Sequence, residues 1–207
     1  MSTIKGEMKS HVTDKQLLEK NIKEVINVFK IVPIQSIDLI TDVLRELMFS
    51  LVSLKRTNHS INILLDDGKV VSEKCLSILL QYKETYTEKD QYIGIIWEVL
   101  SCLINCDVNK SARLFLDYIN TEGSIGNELH SFITDALHKG YNDIDNYKHI
   151  VSSILTYTIH YTRSNDTRQL ILGRVENFIK YAVLFIDIKY DYDLLCRLFT
   201  MLGNLLG

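Results

Sequence analysis

An all-α solenoid of three to four helical units is what the 207-residue sequence predicts, and three observations predict it. One apolar pattern occurs four times: Leu39-Ile40, Val43-Leu44 and Leu47; Ile95-Ile96, Val99-Leu100 and Leu103; Ile150-Val151, Ile154-Leu155 and Ile159; Leu194-Leu195, Leu198-Phe199 and Leu202. Apolar pairs recurring every three to four residues make one buried stripe along a helix. The copies start 56, 55 and 44 residues apart, which leaves room for two or three helices in each unit. Nine glycines and a single proline, Pro33, are too few for the turns of a sandwich or barrel. The one alternating stretch, 186–193, has no second strand to pair with and reads as a loop.

In chain order, residues 1–12 read as a flexible lead-in and residues 13–207 as one helical-repeat domain. Thr13 with Gln16 is a capping box that starts a first helix through Leu17, Leu18, Ile22, Val25, Ile26 and Phe29. Pro33 ends it, because proline lacks an amide and disfavours helix in the residue before it. The first stripe helix spans Ser36 to Ser53, and Lys55–Ser60 is a loop. Ile61–Leu65 is a short apolar segment, and Gly68 after Asp66-Asp67 suits a left-handed helix end. Val70–Tyr82 is the next helix, Glu84–Asp90 breaks the pattern, and Tyr92–Asn105 carries the second stripe. Asp107 can cap a helix through Ala112, Phe115, Leu116 and Ile119. Gly123-Ser-Ile-Gly126 is a turn into a helix through Leu129, Phe132, Ile133, Ala136 and Leu137, ended by Gly140. Tyr141–Asn146 connects to the third stripe, and Thr167–Phe185 forms a long helix ahead of the fourth.

Length and composition bound what such a chain does. A 46% hydrophobic, 24% charged chain buries a sizeable core. A formal net charge of −3 does not make a nucleic-acid footprint, which needs clustered Lys and Arg. The polar N-terminal segment has no secretory apolar region, and no apolar run reaches the ~20 residues of a membrane span. Cys75, Cys102, Cys106 and Cys196 sit in apolar helical patterns without a CxxC pair, the usage of reduced, buried thiols in a cytoplasmic or nuclear protein.

The order of short helix, second helix and long apolar helix over 36–207 resembles armadillo/HEAT-like repeats, whose units are ~40–47 residues. The closing segment Leu194–Leu206 looks like the third helix of an armadillo unit. Cytosolic families sharing that look include the ataxin-ten group and relatives of the small-GTPase exchange factor SmgGDS. The resemblance implies a right-handed superhelix that serves as a protein-binding scaffold, or alternatively an exchange-factor-like regulator of a small GTPase. Importin-type arrays carry a Trp and an Asn one turn apart on each third helix. Here Trp97 is followed by Ser101 and no other copy has a tryptophan, which argues against recognition of nuclear-localisation peptides.

No catalytic, cofactor or metal motif is expected. Cys102 and Cys106 share a helix face, but no third ligand lies at ordinary spacing. Glu128, His130 and His138 do not form HExxH. Asp143 and Asp145 lack the glycine and closing glutamate of a calcium loop, so helix N-capping is their expected use. Asp66-Asp67-Gly68-Lys69 is not a phosphate cradle.

The four stripes instead define a surface. Counting from the first apolar residue of each copy, offsets −1, +3, +6 and +10 share another face of the helix. The rows are Asp38, Asp42, Arg45, Phe49; Gly94, Glu98, Ser101, Asn105; His149, Ser153, Thr156, His160; and Asp193, Arg197, Thr200, Asn204. In a stacked array they would floor a partner-binding groove of mixed polarity for other proteins. The last helix carries apolar residues around most of its circumference, so the expectation is either a longer array continuing past it or a homo-oligomer burying it.

Overall fold

The structure, a computed structural model, describes residues 2–56, 64–106, 123–163, 165, 168, 169 and 191–206. Among these the fold is all-α, without a strand. The helices are α1 (Ser2–Ile31), α2 (Ile37–Arg56), α3 (Leu64–Tyr82), α4 (Gln91–Cys106), α5 (Gly123–Asn142), α6 (Ile144–Tyr161) and α7 (Tyr192–Leu206). The expected helix over 112–119, most of that over Thr167–Phe185, and residues 186–190 of the alternating stretch lie outside the described residues.

Several boundaries differ from those read in the sequence. α1 begins at Ser2, so helical backbone covers the expected lead-in and the Thr13 capping box lies inside it. Lys55 and Arg56 extend α2 into the expected loop. Gly68 ends nothing: α3 runs through it, with Asp67 in its first turn, where a carboxylate favours the free amides. Gly123 and Gly126 lie inside α5, which also passes Gly140 and ends at Asn142. The expected connection Tyr141–Asn146 shrinks to one residue, Asp143. Its amide donates back to Lys139 O (3.0 Å) and its carbonyl accepts from the Tyr147 amide (3.1 Å). Asp143 is the N-cap of α6 as expected, but its carboxylate accepts from the Asn146 side chain (2.9 and 3.1 Å) and makes no bond to a helix amide.

The contacts between helices fall into two tiers. In one, α2 packs on α4, α4 on α6, and α6 on α7, so the four stripe helices lie side by side in chain order. In the other, α1 contacts α3 and α3 contacts α5, while α1, α3 and α5 rest on α2, α4 and α6 respectively. Both middle stripes are buried throughout, from Ile95 to Leu103 and from Ile150 to Ile159. The outer stripes depart from the expected pattern: Leu39 on α2 and Phe199 on α7 face solvent, and α7 buries Leu194, Leu198, Met201 and Leu205. Among the described residues α2 and α7 each have a stripe helix on one side only, so their wide apolar arcs are partly covered.

Aromatic rings fill the centre. Tyr86 stacks on Phe132 (4.9 Å), Phe132 meets Trp97 (5.8 Å), Trp97 meets Tyr157 edge-on (4.9 Å), and Tyr157 stacks on Tyr161 (5.6 Å). Tyr86 is also tied to α5 by a hydroxyl bond to Asp135 Oδ2 (3.0 Å) and by Lys139 lying over its ring. Burial, then the charge of Asp135, pushes the Tyr86 hydroxyl far above its ordinary pKa, so it remains a donor. At the end of α1, Lys74 from α3 donates to the carbonyls of Phe29, Lys30 and Val32, which have no helical partner. Its ammonium also sits over the Phe29 ring at 5.1 Å, a cation at the negative end of the helix.

Candidate functional site

The start of α2 and the start of α4 enclose a polar cleft of about 330 Å³. From α2 it is lined by Ile37, Asp38, Thr41, Asp42 and Arg45, and from the segment entering α4 by Lys89, Asp90, Gln91 and Tyr92. Ser36 precedes α2 and its carbonyl accepts the first helical amide, from Ile40 (2.9 Å), so Asp38 and Asp42 fall on the exposed side of the opening turns. Thr41 turns inward along its own helix, donating to Ile37 O (2.7 Å). Arg45 reaches across the cleft, to Asp42 Oδ1 at 3.4 Å and to Gln91 Oε1 at 3.5 Å. Both contacts are long and solvent-exposed, so the guanidinium is free to re-pair with a ligand.

The opposite wall is tighter. Asp90 Oδ2 accepts from the Thr87 amide (2.7 Å) and hydroxyl (3.1 Å), and the Asp90 carbonyl accepts from the Ile93 amide (2.9 Å). Tyr92 is buried, its ring edge-on to Tyr82 at 5.8 Å. Burial, then the charges of Asp90 and Tyr82, raises the Tyr92 hydroxyl well above its ordinary pKa. The cleft thus offers three carboxylates, two cations and neutral hydroxyls, which suits polar and ionic recognition of a chain laid across it. Asp38, Asp42 and Arg45 are sequence-predicted positions. Lys89, Asp90 and Gln91 were missed, although Thr87-x-x-Asp90 before an apolar run has the spacing of a helix-start motif.

The other predicted positions do not floor a common groove. Phe49 is 63% exposed, further along α2. Ser101 and Ser153 are each only 3% exposed and line no open surface: Ser101 donates to Trp97 O (2.8 Å) and Ser153 to Glu98 Oε1 (3.2 Å). Thr156 accepts a bond from Arg197, which also pairs with Asp193 (2.9 Å). Asn204 donates to Ile159 O (3.1 Å) and Thr162 Oγ1 (3.4 Å). The imidazole of His149 covers Gly94. His160 is half-buried, Thr200 is exposed with its hydroxyl on Cys196 O (2.7 Å), and the Asn105 side chain lies outside the described residues. Ser153 with Glu98, Arg197 with Thr156, and Asn204 with Ile159 are therefore latches between successive helices, whereas the Ser101 and Thr200 hydroxyls bond their own helices.

Cys75 is buried, and burial pushes its thiol far above the usual range. Cys102 is half-buried and Cys196 is exposed, which corrects the expectation that every cysteine is enclosed. Cys106 falls outside the described side chains. Among the described residues no group of three or more His, Cys, Asp or Glu is placed to hold a metal ion, and no helix is long and apolar enough to cross a membrane. Compared with known proteins, the chain matches no family model, no curated protein and no solved structure.

Proposed function

We propose that this chain is a non-enzymatic protein-interaction scaffold, a right-handed armadillo/HEAT-like solenoid of three to four units acting in the cytoplasm. Its partner is another protein, whose polypeptide segment of mixed charge lies in the cleft between α2 and α4. The observation that carries this reading is the side-by-side order of α2, α4, α6 and α7. Contacts made mainly between consecutive elements are the hallmark of a repeat array. Asp38, Asp42 and Arg45 of the first row keep their polar groups open and line the cleft. The buried free thiol of Cys75 fits a reducing compartment.

A pull-down from lysate of the native host, read by mass spectrometry, tests the reading. The wild-type chain should capture a protein that Asp38→Lys/Asp42→Lys no longer holds. A control reversal of the exposed Lys20–Glu24 pair on α1 should leave capture intact. Glu98 is unsuited to this test because its reversal would break the bond from Ser153. Capture indifferent to the cleft reversal would remove the cleft from the proposal. If the captured protein is a small GTPase, faster nucleotide release on mixing would mark the chain as its exchange-type regulator.

A further inference from the structure

The outward side of α7 carries an uncharged apolar stripe that is exposed to solvent. Tyr192, Leu195, Phe199, Leu202 and Leu206 follow at steps of three, four, three and four, the a/d spacing of a helix–helix seam. Tyr192 is 84%, Phe199 55% and Leu206 89% exposed, with Leu195 and Leu202 half-buried at the margin. The residues that seat α7 in the core are a different set, Leu194, Leu198, Met201 and Leu205. Asp193, Arg197, Thr200 and Asn204 occupy a third side, where Arg197 and Asn204 bond α6. The opposite edge of the same tier is unlike it. On α2 the exposed Leu39 and Phe49 are separated along their face by Asp42 and Glu46.

We propose that this face of α7 pairs with the same face of a second copy of the chain, antiparallel across a two-fold axis at Phe199. In that register Tyr192 meets Leu206 of the second copy, Leu195 meets Gly203, and Leu202 meets Cys196. Large side chains then meet small ones. Space exists beside Gly203, where a built Cβ meets nothing within 4 Å, and Cys196 is exposed beside the Tyr192 hydroxyl that bonds it. A parallel pair would set Gly203 against Gly203 and Leu202 against Leu202, a void beside a crowd. No charged residue lies in the stripe, so a second copy brings no like charge against it, as an isologous contact requires.

The area fits a reversible dimer. At about 150–200 Å² for each large side chain, the exposed parts of the stripe amount to about 500–600 Å² per copy. The pair would bury about 1,000–1,200 Å², the lower end for specific interfaces, where weak and reversible association is the rule.

Sedimentation equilibrium of the 207-residue chain over about 1–500 µM tests this, with dissociation constants read from the fits. The expected result is a monomer–dimer equilibrium in the micromolar range. Phe199→Glu should raise Kd about a hundredfold or more with an unchanged circular dichroism spectrum, since Phe199 is outside the core. Gly203→Leu should fold equally well yet weaken the dimer about tenfold, by filling the space that Leu195 of the second copy needs. Adding Leu195→Ala to Gly203→Leu should restore association, because the size pair is then exchanged. A wild-type chain that stays monomeric would overturn the proposal and leave the face to a helix of another protein. A dimer indifferent to Phe199→Glu would also overturn it, and failure of the exchanged pair to recover would overturn the antiparallel register.

Discussion

The imidazole of His149 on α6 lies where a side chain on Gly94 of α4 would have to go. A Cβ built there comes within 2.6 Å of His149 Cδ2, and Nε2 is closer still. Only glycine at this position lets the ring lie against the α4 backbone. His149 is otherwise exposed and able to swing outward.

A graded series at Gly94 follows from this. Gly94→Ala should evict the imidazole but gain about 0.8–1.0 kcal/mol of helix propensity, for a net change within about 1 kcal/mol. Gly94→Leu should cost about 1–3 kcal/mol, because the larger side chain meets packed helix after the ring has moved away. Urea unfolding of both variants, alone and with His149→Ala, checks the order.

Lys74 provides a second test. Lys74→Met keeps most of the apolar stem but leaves the carbonyls of Phe29, Lys30 and Val32 without their donor. The expected loss is about 1–3 kcal/mol of stability, measured by chemical denaturation. Lys74→Arg should recover only part of it, since the planar guanidinium cannot reach three carbonyls as a compact ammonium does.

The sequence carried the fold class and the centre of the structure, and lost the edges. Ile95 to Leu103 and Ile150 to Ile159 are buried as their spacing requires, because α4 and α6 have neighbours on both sides of the tier. Leu39 and Phe199 share that spacing but sit on helices that, among the described residues, have a stripe neighbour on one side only, which periodicity does not reveal. Gly68, Gly123, Gly126 and Gly140 were read as punctuation, yet glycine only permits a turn, and helices with tertiary support run through it. Three of the nine residues lining the cleft, Asp38, Asp42 and Arg45, were legible in the α2 row. Lys89 to Tyr92 were not, since they join it by tertiary approach. Ser101 and Ser153 were misplaced because a shared offset names a face without naming what lies against it.

Asp191 makes stability pH-dependent at the start of α7. Its Oδ1 accepts from the Leu194 amide (3.0 Å), and its carboxylate pairs with Lys148 of α6. The bond from Lys148 and then that from the Leu194 amide hold its pKa below the usual 3.8. A depressed folded pKa stabilises fully above the unfolded value and is lost as pH falls through the folded one. Asp191→Asn should therefore be less stable than wild type at pH 7, with the gap closing below pH 3.8. Thermal melts at pH 7, 5 and 3 would show the convergence.

Trp97 is fully buried among Phe132, Tyr157 and the second stripe. Trp97→Ala should cost about 3–5 kcal/mol, a large share of the ~5–15 kcal/mol of a typical domain. Loss of the cooperative melt followed by far-UV circular dichroism is the expected outcome. Trp97→Phe should retain a cooperative melt at lower temperature.

The single residue between α5 and α6 has a mechanical consequence. Asp143 gives its amide to the helix behind it and its carbonyl to the helix ahead, so the corner contains no slack. Opening the angle between α5 and α6 would strain the hydrogen bonds on either side of Asp143, so the two helices, the arms of this corner, are expected to move together. Tyr86 grips one arm through Asp135, and the other arm presses on α4 along its length. A push on α5 from outside would thus be delivered to α4, whose first turn forms one wall of the cleft.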